Sequence, residues 1–153
     1  ADSNGIMPLA VKSIGQIQIV LLLMRICIMA KRSMYFKDWI HHKQKNALLI
    51  LEEPEQNLHP AFQSKLFDLF EYCYKPFGLN FIIETHSEYL IRRSQVLVSK
   101  LEKAEENPVK IMYFPTDDKP YEMKFRSDGL FENDFGPGFL DETGNIIIEL
   151  FKR

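Results

Sequence analysis

The chain has 153 residues, 46% hydrophobic and 26% charged, with a formal net charge of −2 at pH 7. This length supports one domain with a real core, this composition excludes a disordered chain, and this charge gives no global sign of nucleic-acid binding. The two cysteines, Cys27 and Cys73, lie in apolar runs. They build neither a disulfide framework nor a zinc site, and read as buried thiols of a reducing cytoplasm.

Residues 1–12 contain Gly5 and Pro8 and read as a loop, and the opening Ala1-Asp2-Ser3, without methionine, suggests a start inside a longer protein. The pattern then predicts a long helix from about Gly15 to His42. Its stretch Ile17 to Ala30 is apolar on all sides, which predicts burial on all sides. That run is too short for a membrane span, Arg25 interrupts it, and it lacks the flanks of a signal peptide, so no membrane partner is expected. Further on, Met34, Tyr35, Trp39 and Ile40 oppose Lys31, Arg32, Lys37 and Asp38, an amphipathic pattern. Ala47 to Leu51 is a short continuous apolar run, which suits a buried parallel strand. Pro60 opens a helix at a favoured first position, with Phe62, Leu66, Leu69, Phe70 and Cys73 as its apolar face and Pro76-Phe77-Gly78 as its close. Phe81-Ile82-Ile83 is a second buried strand, which completes a βαβ unit of expected right-handed crossover.

Thr85 and Glu88 have capping-box spacing and predict a helix from His86 to about Leu101. Val109 to Phe114 and Tyr121 to Phe125 read as a hairpin around Thr116-Asp117-Asp118-Lys119. A glycine- and aromatic-rich loop covers 129–138, and Ile146, Ile147, Leu150 and Phe151 recur at helical spacing. The fold class is therefore α/β, with a largely parallel sheet, flanking helices and a C-terminal β-hairpin.

The chemistry concentrates at Leu48-Leu49-Ile50-Leu51-Glu52-Glu53-Pro54-Glu55-Gln56-Asn57-Leu58-His59-Pro60. Two adjacent carboxylates stand at the C-terminal end of a parallel strand, the edge where open α/β sheets bind ligands. Strand alternation points them to opposite faces, so they can do different work. One can hold a hydrated Mg²⁺, which favours one or two carboxylates with waters and phosphates, and the other can orient or deprotonate a water. The second strand ends in Ile83-Glu84-Thr85-His86-Ser87, which sets His86 beside that edge. An imidazole there can hydrogen-bond a phosphate oxygen. Upstream, Ser13 and Gln16 of Lys12-Ser13-Ile14-Gly15-Gln16 make a capping box at the start of the long helix, an end that attracts anions.

An apolar strand ending in two acids and a proline resembles the Walker B motif of ABC-type ATPases. The form Glu-Glu-Pro-Glu-x-x-Leu-His-Pro looks like the RecF-like, SMC-like and overcoming-lysogenization-defect-like branch of AAA/ABC ATPases. By that resemblance Glu52 takes the Mg²⁺ side, Glu53 is the catalytic acid, Leu58-His59-Pro60 is the D-loop, and His86 is the switch histidine at the γ-phosphate. Most ABC proteins have aspartate at both the Glu52 and His59 positions. Ser13, Gly15 and Gln16 match a degenerate signature motif, which binds ATP held by an opposite subunit; Lys12 and Ile14 depart from it. The stretch Asp134 to Glu142 resembles a tail of some prokaryotic members. The resemblance thus covers about Ser13 to Glu142 and implies the C-terminal part of a P-loop domain. It further implies ATP and Mg²⁺ as ligands, a second ATPase subunit (a homodimer) as partner, a cytoplasmic setting, and work on DNA or in phage defence.

No Gly-x-x-x-x-Gly-Lys-Ser/Thr occurs in the 153 residues, so the loop that cradles phosphates is missing. The expectation is one partial ATPase domain spanning 1–153, nearly inactive alone. Two other readings stand beside it. A metal hydrolase would use His59 and His86 with Glu52, Glu53 or Glu55, but no zinc spacing supports it. A non-catalytic module would lend signature and D-loop to a partner ATPase. His41-His42 reads as a charge pair at a helix end. Arg92-Arg93 reads either as a solvated face or as a contact to DNA.

Overall fold

The computed structural model describes residues 13–39 and 47–152. The loop expected at 1–12 and the His41-His42 pair lie outside the described residues. The chain divides into two compact units, residues 1–90 and 91–153. The first holds α1 (Ile14–Trp39), β1 (Ala47–Glu52), α2 (Pro60–Phe77) and β2 (Leu79–Glu84), and the division falls early in α3 (Glu88–Val98).

Ser13 caps α1 as its spacing predicts. The Gln16 amide donates to Ser13 Oγ at 3.4 Å and the Ser13 amide to Gln16 Oε1 at 3.3 Å, which satisfies two of the helix's free donors. Burial of α1 differs from the expectation. Leu22, Ile26 and Ala30, four residues apart, form one buried stripe. Val20, Leu21, Leu23, Met24 and Ile28 are exposed, because neighbouring elements cover one side of the helix only. The apolar stretch is also longer than the sequence run suggested. Ile14–Met34, 21 residues of mean hydropathy 1.7, is long and apolar enough to cross a membrane by length and composition. Its buried stripe nonetheless belongs to the core of the α/β unit.

The two strands pair in parallel, Leu49 against Phe81, Leu51 against Ile83 and Glu52 against Glu84. Alternation sends Leu49, Leu51, Leu79, Phe81 and Ile83 to one face. There they meet Leu22 and Ile26 of α1 and Leu66, Phe70 and Cys73 of α2 in one apolar cluster. Leu79 is 0% exposed, and the Phe70 and Phe81 rings stand 4.9 Å apart. The opposite face carries Leu48, Ile50 and Ile82, all exposed. Gly78 closes α2 in the left-handed conformation, φ 61°, which a glycine adopts without steric cost.

The third helix begins later than the Thr85 spacing predicts. It starts at Glu88, and Ser87 is its cap, its Oγ accepting the Leu90 amide at 3.3 Å. Thr85 is engaged elsewhere, so His86 lies in a loop rather than in a helix.

In the second unit β3 (Ile111–Tyr113) pairs antiparallel with β4 (Tyr121–Met123). Both strands are shorter than predicted, and Phe125 instead bridges Phe131. The glycine- and aromatic-rich loop packs by its rings. Tyr113 meets Tyr121, Phe135 and Phe139 at 5.2–5.8 Å between centroids, and Phe131 meets Phe135 at 5.4 Å. Gly129 is required there: its φ is 81°, and a Cβ would come within 2.2 Å of the Gln95 carbonyl oxygen. The last helix, α4 (Glu142–Phe151), starts ahead of the isoleucines and has no buried residue.

Candidate active site at the C-terminal edge of the parallel strands

Glu53 is the first residue beyond β1. Its amide extends the ladder, donating to the Glu84 carbonyl at 2.9 Å. The backbone then turns, with Glu53 at φ 40°, in the left-handed region. Such a conformation in a non-glycine residue is strained and tends to mark functional positions. The turn is closed by the Gln56 amide on the Glu53 carbonyl and the Leu58 amide on the Glu55 carbonyl, each 3.0 Å, with Asn57 also left-handed at φ 60°.

This geometry aims the Glu53 carboxylate toward the end of β2. Its Oε1 lies 3.5 Å from His86 Nε2, and its Oε2 accepts from Gln56 Nε2 at 3.2 Å. Glu52 faces the other way. It lies on the exposed face of the strand pair, in register with the exposed Glu84. The two adjacent acids thus differ in surroundings, Glu52 exposed on the strand and Glu53 half-buried in the turn beside His86.

A second group forms around the start of α1. Ser13 and Gln16 are exposed, whereas Gly15 is buried against the turn. A Cβ on Gly15 would sit 2.3 Å from the Asn57 carbonyl oxygen, so only glycine allows this approach. His59 follows in the same turn and is exposed. Its Nδ1 accepts the Ala61 amide at 3.2 Å, so the imidazole caps α2, with Pro60 at the first helical position. The structure therefore brings Glu53 together with His86, and the Ser13–Gln16 segment together with the 57–59 turn.

Sequence reasoning gave Glu55 a role only in the metal-hydrolase alternative. The structure buries it, with Oε1 accepting from the Thr85 hydroxyl and from the His86 amide, the latter at 3.0 Å. Ser87 and Gln63 were likewise not singled out, yet the Ser87 hydroxyl donates to Gln63 Oε1 at 2.6 Å. A carboxylate inside a proline-led turn was the available signal for Glu55, but its partners lie thirty residues away. Among the described residues no group of three or more His, Cys, Asp or Glu is placed to hold a metal, so the metal-hydrolase reading gains no ligand set.

A parallel strand pair with helices on one face, acids at its C-terminal edge and a histidine after the next strand defines a fragment of a P-loop NTPase fold. A family model described as AAA ATPase domain matches residues 2–91, and the chain belongs to that family. It is therefore a nucleotide-binding domain of ATPase type. Searches of curated proteins and of solved structures gave no match.

Proposed function

We propose that the chain is the hydrolysis-side, C-terminal half of an ABC-type ATPase domain of the RecF-like, SMC-like and overcoming-lysogenization-defect-like branch. The observation that carries this is the Glu53 carboxylate, on a left-handed backbone at the C-terminal edge of a parallel strand, lying 3.5 Å from His86 Nε2. Glu53 orients the attacking water and takes its proton as the water oxygen bonds to the γ-phosphorus and the bridge to the β-phosphate breaks. His86 hydrogen-bonds a γ-phosphate oxygen. Glu52, exposed at the end of β1 next to Glu53, would hold a hydrated Mg²⁺, an ion that needs only one or two carboxylates beside water and phosphate. When bound, the ion neutralises phosphate charge. The chain supplies no phosphate-cradling loop, so most of the affinity for ATP must come from residues outside these 153.

Two further features support a half-domain. Parallel sheets normally have both faces covered, yet Leu48, Ile50 and Ile82 lie open here, as does one side of α1. Ser13, Gln16 and His59 are exposed, and Gly15 packs against the turn that leads into His59, an arrangement suited to ATP held by a second subunit in a two-fold dimer. Work on DNA, or defence against phage, is the setting this branch suggests. The same exposure favours a second reading, a non-catalytic module that lends these residues to a partner ATPase.

The deciding experiment is steady-state ATPase activity of the full-length protein, beside Glu53→Gln and the 153-residue chain. The full-length protein should turn over, Glu53→Gln should lose about 10²–10⁴-fold in kcat, and the 153-residue chain should be silent. If Glu53→Gln hydrolyses ATP like wild type, the catalytic reading fails and the module reading takes its place.

A further inference from the structure

Glu55 stands two residues past Glu53 and is only 6% exposed. A carboxylate leaves water at a cost unless donors replace the water. Oε1 has two such donors, the Thr85 hydroxyl and the His86 amide. Among the described residues, Oε2 is buried without a hydrogen-bond partner. A buried acid with one oxygen unsatisfied calls for a reason beyond stability.

The reason lies in what Oε1 holds. The His86 side chain is 73% exposed, and its contact to Glu53 is 3.5 Å, too loose to fix an imidazole by itself. Its backbone is held instead. The Glu55 bond fixes the His86 amide at 3.0 Å, and Thr85 Oγ1 accepts the Ser87 amide at 3.0 Å. Ser87 then donates to Gln63, whose Nε2 donates to the Leu58 carbonyl at 2.9 Å. The turn after β1 and the loop after β2 are tied at both ends.

We infer that Glu55 is a positioning residue, holding the His86 backbone through Oε1 so that the imidazole faces Glu53. This rests on the ATPase reading above for its consequence, but the clamp itself does not. Loss of Glu55 should misplace the imidazole while leaving nucleotide contacts elsewhere intact.

The test compares Glu55→Ala, Thr85→Val and Thr85→Ser in the full-length protein with Mg²⁺ and ATP, together with hydrogen exchange of the His86 amide. Glu55→Ala and Thr85→Val should lower kcat about 10- to 100-fold, the scale of a small misplacement, with KM for ATP unchanged. Thr85→Ser keeps the hydroxyl and should restore wild-type kcat. The His86 amide should exchange faster in the first two variants and not in the third. A wild-type kcat in Glu55→Ala, or a KM that rises as kcat falls, overturns the inference. Unchanged exchange at His86 overturns it as well. If Glu55→Ala does not fold, the Thr85 pair decides on the same criteria. If wild type shows no ATPase activity, the ATPase reading fails, and the exchange result still decides the clamp.

Discussion

Gly15→Ala tests the packing of the first helix against the turn that follows Pro54. The added Cβ would lie 2.3 Å from the Asn57 carbonyl oxygen, 3.1 Å from its carbon and 3.2 Å from Leu58 Cδ2. A carbon normally approaches such an oxygen to about 3.3 Å, so helix and turn must separate by about 1 Å. The clash is with backbone, which cannot rotate away as a side chain would. Overpacking of this kind costs about 1–3 kcal/mol. Alanine returns up to about 1 kcal/mol through its better helix propensity, and less at the second helical position. The net loss is about 1–2 kcal/mol, which for a unit of roughly 60–100 residues lowers Tm by about 5–15 °C. Thermal unfolding followed by far-ultraviolet circular dichroism reads this directly. An unchanged or raised Tm would show that α1 and the turn are not in this contact, and would remove the reason given for glycine at this position.

Two other outcomes follow from the packing. Leu79→Ala, at a fully buried strand position, should destabilise by about 2–5 kcal/mol, measured by urea denaturation; a loss under about 1 kcal/mol would mean that the strand pair is not the core. Burial pushes the Cys73 thiol above its ordinary pKa, with Cys27 adding to the rise, so less reactive thiolate is present at neutral pH. An alkylating reagent with mass-spectrometric readout should therefore modify exposed Cys27 first and leave Cys73 until the protein unfolds; equal rates for the native protein would contradict the burial of α2.

The parts of the fold legible in the sequence were those set by local chemistry. Ser13 with Gln16, Pro60 at the head of α2, Gly78 at its end and the two apolar strands each carry their own signal and form where the pattern says, although the strands expected to be buried bury one face only. The pairing of Glu53 with His86 followed from placing two strand ends side by side. Burial of α1 departs from its pattern because periodicity reports what a helix could bury, whereas its neighbours decide what it does bury. The start of α3 departs from its pattern because two hydroxyls compete for one cap. Thr85 donates to Glu55, and Ser87, two residues on, takes the capping role. The place of Glu55 is not legible in the sequence for the same reason: its partners come from tertiary contact, which no spacing within its own segment encodes.

On the proposed function, the left-handed backbone at Glu53 sets folding and activity against each other at a single position. Glycine would adopt φ 40° without the penalty of about 1–2 kcal/mol that a side chain brings. A Glu53→Gly chain would then gain stability in the folded state while losing the carboxylate. Selection for a sturdier protein would carry this position away from glutamate, toward a quieter and more durable molecule. Keeping the acid means keeping that backbone penalty, and stabilising substitutions are better sought in the core around Leu66 and Phe70 than beside the strand end.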